Sequence, residues 1–125
     1  MDQAVILSTA RTPIGKAYRG SLNDTDAPTL ASYAIKASIK NAGIDPSEVE
    51  DVIIGAAVQQ GTQGYNIGRL SAAASGLPVH VPGMSVDRQC ASGLMAIAIG
   101  AKQIACKEMD IVIGGGVESI SLVQN

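Results

Sequence analysis

MSVDRQCASGLMAIAIGAKQIACKEMDIVIGGGV, residues 84–117, holds a short strand, a long helix and a second strand in immediate succession. Met84-Ser85-Val86 reads as a strand. A helix is expected from about Cys90 to Lys107, and Asp110 to Val117 reads as a strand that ends in Gly114-Gly115-Gly116. Leu94, Met95, Ala96, Ile97, Ala98, Ile99, Ala101, Ile104 and Ala105 leave the helix almost no polar face before Lys102. A helix that is apolar all round is buried all round. The other elements of the chain cover one side of it at best, so a missing C-terminal region or another subunit is expected on the other.

Working outward, β-branched runs alternate with helical patterns in the order β-α-β-α-β-α-β, the signature of βαβ units. Val5-Ile6-Leu7 reads as a buried first strand. Thr29 to Ala42 reads as a helix with Leu30, Tyr33, Ala34 and Ala37 on its inner face and Gly43 as its stop. Asp45-Pro46-Ser47-Glu48 has the pattern of a capped short turn. A second strand opens at Val52-Ile53-Ile54 and runs to about Val58. Asn66 to Ser75 reads as a helix stopped by Gly76, with Ile67, Leu70 and Ala74 inward. The expectation is an α/β layered fold with a mostly parallel sheet.

The 125 residues suffice for one domain core. The 9 Lys and Arg against 11 Asp and Glu give a net charge of −2 without runs, so no basic face advertises nucleic acid or an anionic membrane. The start, Met1-Asp2-Gln3-Ala4, is acidic and opens no long apolar run, and no segment approaches the ~20 apolar residues of a membrane span. A soluble, cytoplasmic protein is expected. Cys90 and Cys106 sit 16 residues apart in one predicted helix, about 24 Å along its axis and on opposite faces, too far for a disulfide. Cys106 reads as a core residue. With His80 the single histidine, no metal site is expected.

Chemistry concentrates at Cys90, where a strand gives way to the buried helix. Helix N-termini offer free N–H groups and a positive dipole end, which favour thiolates, and a thiolate there suits attack on a thioester carbonyl. A small core hydrophobe is the competing reading, and position alone leaves both open. His80 lies in Leu77-Pro78-Val79-His80-Val81-Pro82, an extended loop where a solvated side chain is the ordinary case. Asp87 and Arg88 either tune Cys90 or pair with each other or a neighbouring subunit. Asn66 and Arg69, one helical turn apart, either brace the loop near Cys90 or cap their helix. Gly114-Gly115-Gly116 fails the G-x-G-x-x-G phosphate pattern at Ser119, and tight turning at a strand end is the preferred reading. Lys16, Tyr18 and Arg19 either meet a phosphate or form a solvated loop face.

Asp87-Arg88-Gln89-Cys90-Ala91-Ser92-Gly93-Leu94 resembles the nucleophile signature of thiolases. Three further segments agree in order. Arg11-Thr12-Pro13-Ile14-Gly15 resembles the family's first strand–loop junction, Asn66-Ile67-Gly68-Arg69 its Asn-x-x-Arg helix start, and Gly114-Gly115-Gly116-Val117-Glu118-Ser119 its Gly-Gly-x-Glu-Ser turn.

The resemblance implies a thiolase-like fold with sheet order 3-2-1-4. Residues 1–125 would form the first, nucleophile-bearing part of the N-terminal domain, with the loop domain and C-terminal domain absent. It implies acyl transfer of the acetyl-CoA acetyltransferase or 3-ketoacyl-CoA thiolase type through a Cys90 acyl-enzyme, in fatty acid metabolism. No cofactor is bound permanently, coenzyme A thioesters are substrates, and a homodimer or tetramer is expected. The family's activating histidine and second cysteine come from its C-terminal half, so the chain is expected to need further polypeptide for activity. A ketoacyl-synthase-like condensing enzyme, a non-catalytic piece of such an enzyme and a nucleotide-binding domain are the alternatives, the last disfavoured because its fingerprint is missing from the first strand–helix turn.

Overall fold

The computed structural model describes residues 3–124; Met1, Asp2 and Asn125 lie outside the described residues. Three helices, α1 (Ala27–Ala42), α2 (Ile67–Ala74) and α3 (Ser92–Ala105), alternate with three strands, β1 (Asp51–Gly55), β2 (Gly83–Val86) and β3 (Val112–Gly116). The strands form one sheet of order β2-β1-β3, with both pairings parallel. The chain steps from β1 to β2 in one direction and from β2 across to β3 in the other. Right-handed crossovers in opposite directions put their helices on opposite faces, so α2 and its neighbour α1 cover one face and α3 the other.

Each helix boundary has a local cause. The Thr29 N–H donates to the Asp26 carboxylate at 2.8 Å to open α1, and Gly43 closes it at φ 70°, donating to Ile39 O and Lys40 O. The Asp45–Glu48 turn is a capping box: the Asp45 side chain accepts the Ser47 N–H and the Glu48 carboxylate accepts the Asp45 N–H, each at 2.8 Å. Asn66 caps α2.

The central strand β1 is buried along its whole length, as a parallel strand covered on both faces should be. Its residues alternate. Val52 and Ile54 join the cluster formed with Ala31, Ile35, Ile39, Ile67 and Ala72 of α1 and α2, while Ile53 approaches Gly100 of α3.

Five expectations are corrected. Val5-Ile6-Leu7 forms no strand and is 59–76% exposed. The following Ser8 Oγ donates to Ser38 O, and the backbone of the segment finds no ladder partner among the described residues. The sheet order 3-2-1-4 therefore fails at its third place, because Asp51–Gly55 pairs directly with Val112–Gly116. On α1 the buried stripe is Ala27, Ala31, Ile35 and Ile39. This i, i+4 row carries both isoleucines and so removes more apolar area from water than the row of Leu30, Ala34 and Ala37; Tyr33 is exposed. On α2, Ile67 is buried with Ser71 and Ala72, whereas Leu70 and Ala74 face out, because Gly68, Ser71 and Ala72 let the helix lie close to β2 and α1. The second strand stops at Gly55 because the next amides that reach outward, at Ala57 and Val58, donate to the Glu118 carboxylate instead of a ladder.

The expectation for α3 holds in a specific form. Only Ser92, Ala96 and Gly100 are buried on it, with Leu94 72% and Ile97 45% exposed. The described chain covers one side of this apolar helix and leaves the other open. Among the described residues no helix is long and apolar enough to cross a membrane.

Candidate active site

Because both pairings are parallel, β1, β2 and β3 end at the same edge of the sheet. That edge is where ligands bind in open α/β sheets. It gathers the loop after Gly55, the turn from Asp87 to Ala91 that carries Cys90, and the Val117-Glu118-Ser119 segment. Two hydrogen bonds stitch these exits together, from Ala56 N to Val86 O and from Val117 N to Gly55 O, both 3.0 Å.

Cys90 lies just ahead of α3, whose N-cap is Ala91 and whose first residue is Ser92. Its side chain is exposed and its thiol is free. The first-turn N–H groups of any helix lack intrahelical acceptors, and Cys90 immediately precedes the N-cap residue of this one. The turn is tight: Gln89 sits at φ 50°, its N–H donates to Asp87 Oδ1 at 2.9 Å, and Ala91 N and Ser92 N close back on Arg88 O and Gln89 O at 3.1 Å.

The glycines of β3 place the helix over this edge. Gly114 and Gly116 stand in the strand and not in a turn, and neither has a positive φ; the strand-end turn reading is corrected. A Cβ at Gly114 would stand 2.9 Å from the Ile97 Cα, one at Gly116 would stand 3.0 Å from the Gly93 Cα, and one at Gly55 would collide with the Ser92 backbone. Glycine is required because α3 lies directly on the sheet backbone. Any larger residue would lift the Cys90 turn off the strand ends.

Asn66 caps its helix, and the bonds of Asn66 and Arg69 beyond the cap reach the segment that enters β2 and not the loop at Cys90. The Asn66 Oδ1 accepts the Arg69 N–H at 3.1 Å as a cap, while its Nδ2 donates to Gly83 O at 2.8 Å. Arg69 Nη1 donates to Val81 O at 2.5 Å. The pair thus pins the segment that becomes β2 and leads to Cys90.

Glu118 and Gln63 were not singled out from the sequence, although Glu118 falls in a quoted motif. Glu118 accepts Ala57 N at 3.0 Å, Val58 N at 3.1 Å and Gln63 Nε2 at 2.6 Å. Gln63 is fully buried; it also donates to Val58 O and accepts the Ser119 N–H. A buried amide satisfied on both ends fixes the β1 exit loop against the β3 exit. A polar side chain in the 3-10 turn Gly61–Gln63 gives no sequence signal for this role.

The remaining candidates separate. His80 contacts Ser47 O at 3.3 Å, before the start of β2, whereas Cys90 follows its end, so the sheet edge opposite the site holds it. Asp87 turns to Gln89 and Arg88 Nη1 reaches Met95 Sδ at 3.3 Å; the two do not pair with each other. Cys106 is the exposed C-cap of α3 and not a core residue, because the helix ends where the sheet beneath it ends. The Lys16–Arg19 loop is exposed, and Tyr18 N donates to Ser121 Oγ at 2.9 Å. A concavity of about 360 Å³ lies beside this loop, between residues 10–17 and Gly116–Ser121, and Cys90 does not line it. Among the described residues no group of His, Cys, Asp and Glu is placed to hold a metal ion.

The family profile described as thiolase, N-terminal domain, matches residues 4–125. The chain belongs to the thiolase family. It is 43% identical over 98% of its length to the 3-ketoacyl-CoA thiolase of Bacillus subtilis, 42% identical over 95% to the beta-ketoadipyl-CoA thiolase of Pseudomonas aeruginosa and 40% identical over 97% to the acetyl-CoA acetyltransferase of Cupriavidus necator. These alignments span 32%, 30% and 30% of the relatives, so this thiolase chain represents about a third of their length. The crystal structure of the Bacillus anthracis acetyl-CoA acetyltransferase superposes with a TM-score of 0.91 at 36% identity, over 97% of this chain and 30% of that one. The thiolase fold is thus shared by a parallel α/β unit that carries Cys90 at its strand ends.

Proposed function

We propose that this chain supplies the nucleophile of a thiolase-type acyltransferase, with Cys90 as the residue that carries the acyl group. The observation that carries the reading is the exposed, free Cys90 on a tight turn at the N-terminus of α3, at the carboxyl edge of a parallel sheet. The Cys90 thiolate attacks the carbonyl carbon of an acyl-CoA, the carbonyl–sulfur bond to coenzyme A breaks, and the leaving thiolate takes up a proton. The α-carbon of a second acetyl-CoA, having lost a proton to a base, then attacks the Cys90 thioester. A carbon–carbon bond forms and the Cys90 thiolate is released; thiolysis runs the same steps backward.

The chain's single histidine is not the base at this edge, since His80 lies at the opposite one. Further polypeptide completes the site in this reading, as loop domain, C-terminal domain or partner subunit. The open side of α3, with Leu94 and Ile97 uncovered, supports that requirement, as does the one-third coverage of the relatives. We place the protein as a homodimer or tetramer in acyl-CoA metabolism of the fatty-acid type. Free thiols at Cys90 and Cys106 suit the reducing cytoplasm.

Steady-state kinetics of the protein at its natural length test this. Double-reciprocal plots against the two CoA substrates should be parallel, as ping-pong transfer requires, and Cys90→Ala should remove turnover. Converging lines, or turnover that survives Cys90→Ala, contradict the proposal.

A further inference from the structure

Ser92 is the first residue of α3 and only 3% exposed, while Arg88, Gln89, Cys90 and Ala91 before it are all exposed. A serine that serves only to start a helix accepts a first-turn N–H. This one does not. Its Oγ accepts the Arg88 N–H at 2.8 Å and donates to Gln89 O at 2.6 Å, reaching backward into the turn. Gln89, between these two bonds, holds the left-handed φ of 50° that side chains other than glycine seldom adopt. The close seating of Ser92 on Gly55 anchors the hydroxyl to the sheet.

We propose that Ser92 is a positioning residue for Cys90: its hydroxyl ties the Arg88 and Gln89 peptide groups together, holds Gln89 left-handed and so fixes where the sulfur stands. The inference rests on the reading of Cys90 as the acyl carrier. A displacement of the attacking atom by about 1 Å is enough to lower a rate by two orders of magnitude. The tether acts on geometry and not on substrate affinity.

The test uses the protein at its natural length. Ser92→Ala should lower kcat for acyl transfer by about ten- to a hundredfold while KM for acetyl-CoA stays within about threefold. Adding Gln89→Gly to Ser92→Ala should recover a substantial part of the loss, since glycine reaches positive φ without steric cost; loss of a merely structural serine would not be recovered in this way. An unchanged kcat in Ser92→Ala, or a loss that Gln89→Gly leaves untouched, overturns the proposal. If Ser92→Ala does not fold, amide hydrogen exchange of the parent decides. The Arg88 N–H should exchange at least about tenfold slower than an unstructured amide because Ser92 holds it, and unprotected exchange overturns the tether. Turnover that survives Cys90→Ala overturns the Cys90 reading along with the Ser92 role. Turnover that requires Cys90 yet ignores Ser92→Ala overturns the Ser92 role alone.

Discussion

The Gln63 side-chain amide donates to the Glu118 carboxylate at 2.6 Å across a sequence separation of 55 residues, joining the loop that leaves β1 to the segment that leaves β3. With Gln63 fully buried and its oxygen taking the Ser119 N–H, the pair locks two of the three strand exits around Cys90. Gln63→Leu removes these two bonds and the one to Val58 O, and leaves the Ser119 N–H unpaired. The expected cost is about 1–3 kcal/mol of stability, read as a lowered midpoint of urea unfolding. An unchanged midpoint would mean that the exits hold without this pair.

Asn66 combines a cap with a brace, so its loss should be felt at a distance. Asn66→Ala removes the Arg69 N–H acceptor and the bond to Gly83 O, and its left-handed φ of 64° disfavours alanine besides. A destabilisation of about 0.5–2 kcal/mol is expected from the cap alone. Faster amide exchange should follow at residues 79–86. Destabilisation without that change would show a cap and no brace.

Gly114 and Gly116 let α3 rest on the sheet, and alanine at either position should push it off. Gly116→Ala sets a methyl 3.0 Å from the Gly93 Cα, tighter than ordinary van der Waals contact; overpacking of this kind costs about 1–3 kcal/mol. Because Gly93 follows the Cys90 turn, labelling of Cys90 by a thiol reagent should change along with stability. Normal stability and labelling in Gly116→Ala would contradict the close seating.

The Asp45 carboxyl is held below its ordinary value of 3.8, first by the Ser47 hydroxyl, at 2.6 Å, and then by the Ser47 N–H. A lowered folded-state value stabilises the turn above the unfolded value, and the contribution fades as pH falls through the folded one. Ser47→Ala should raise the Asp45 midpoint toward 3.8 in a carboxyl-resolved NMR titration. A midpoint that does not move would assign the shift elsewhere.

What could be read from sequence follows how local each cause is. The Gly43 stop, the Asp45–Glu48 box and the apolar α3 depend on neighbours within a few residues, and each stands as read. The Val5–Leu7 strand misled because apolar character is local but a ladder partner is not. The α1 face was misphased because two apolar rows compete there, and only the sheet chooses between them. At the site, the motif around Cys90 was legible, whereas the hydroxyl of Ser92 and the amide of Gln63 act across contacts that spacing does not reveal. Gly114 and Gly116 read as turn residues because close helix–sheet approach leaves the same sequence mark.

Where the acyl group resides decides the role of Cys90. The protein at its natural length, mixed with acetyl-CoA, quenched in acid within one turnover and digested, should carry acetyl on the peptide containing Cys90 and nowhere else when mapped by mass spectrometry. That adduct should vanish in Cys90→Ala. Acetyl on Cys106 or another residue, or an adduct that persists in Cys90→Ala, would contradict that role.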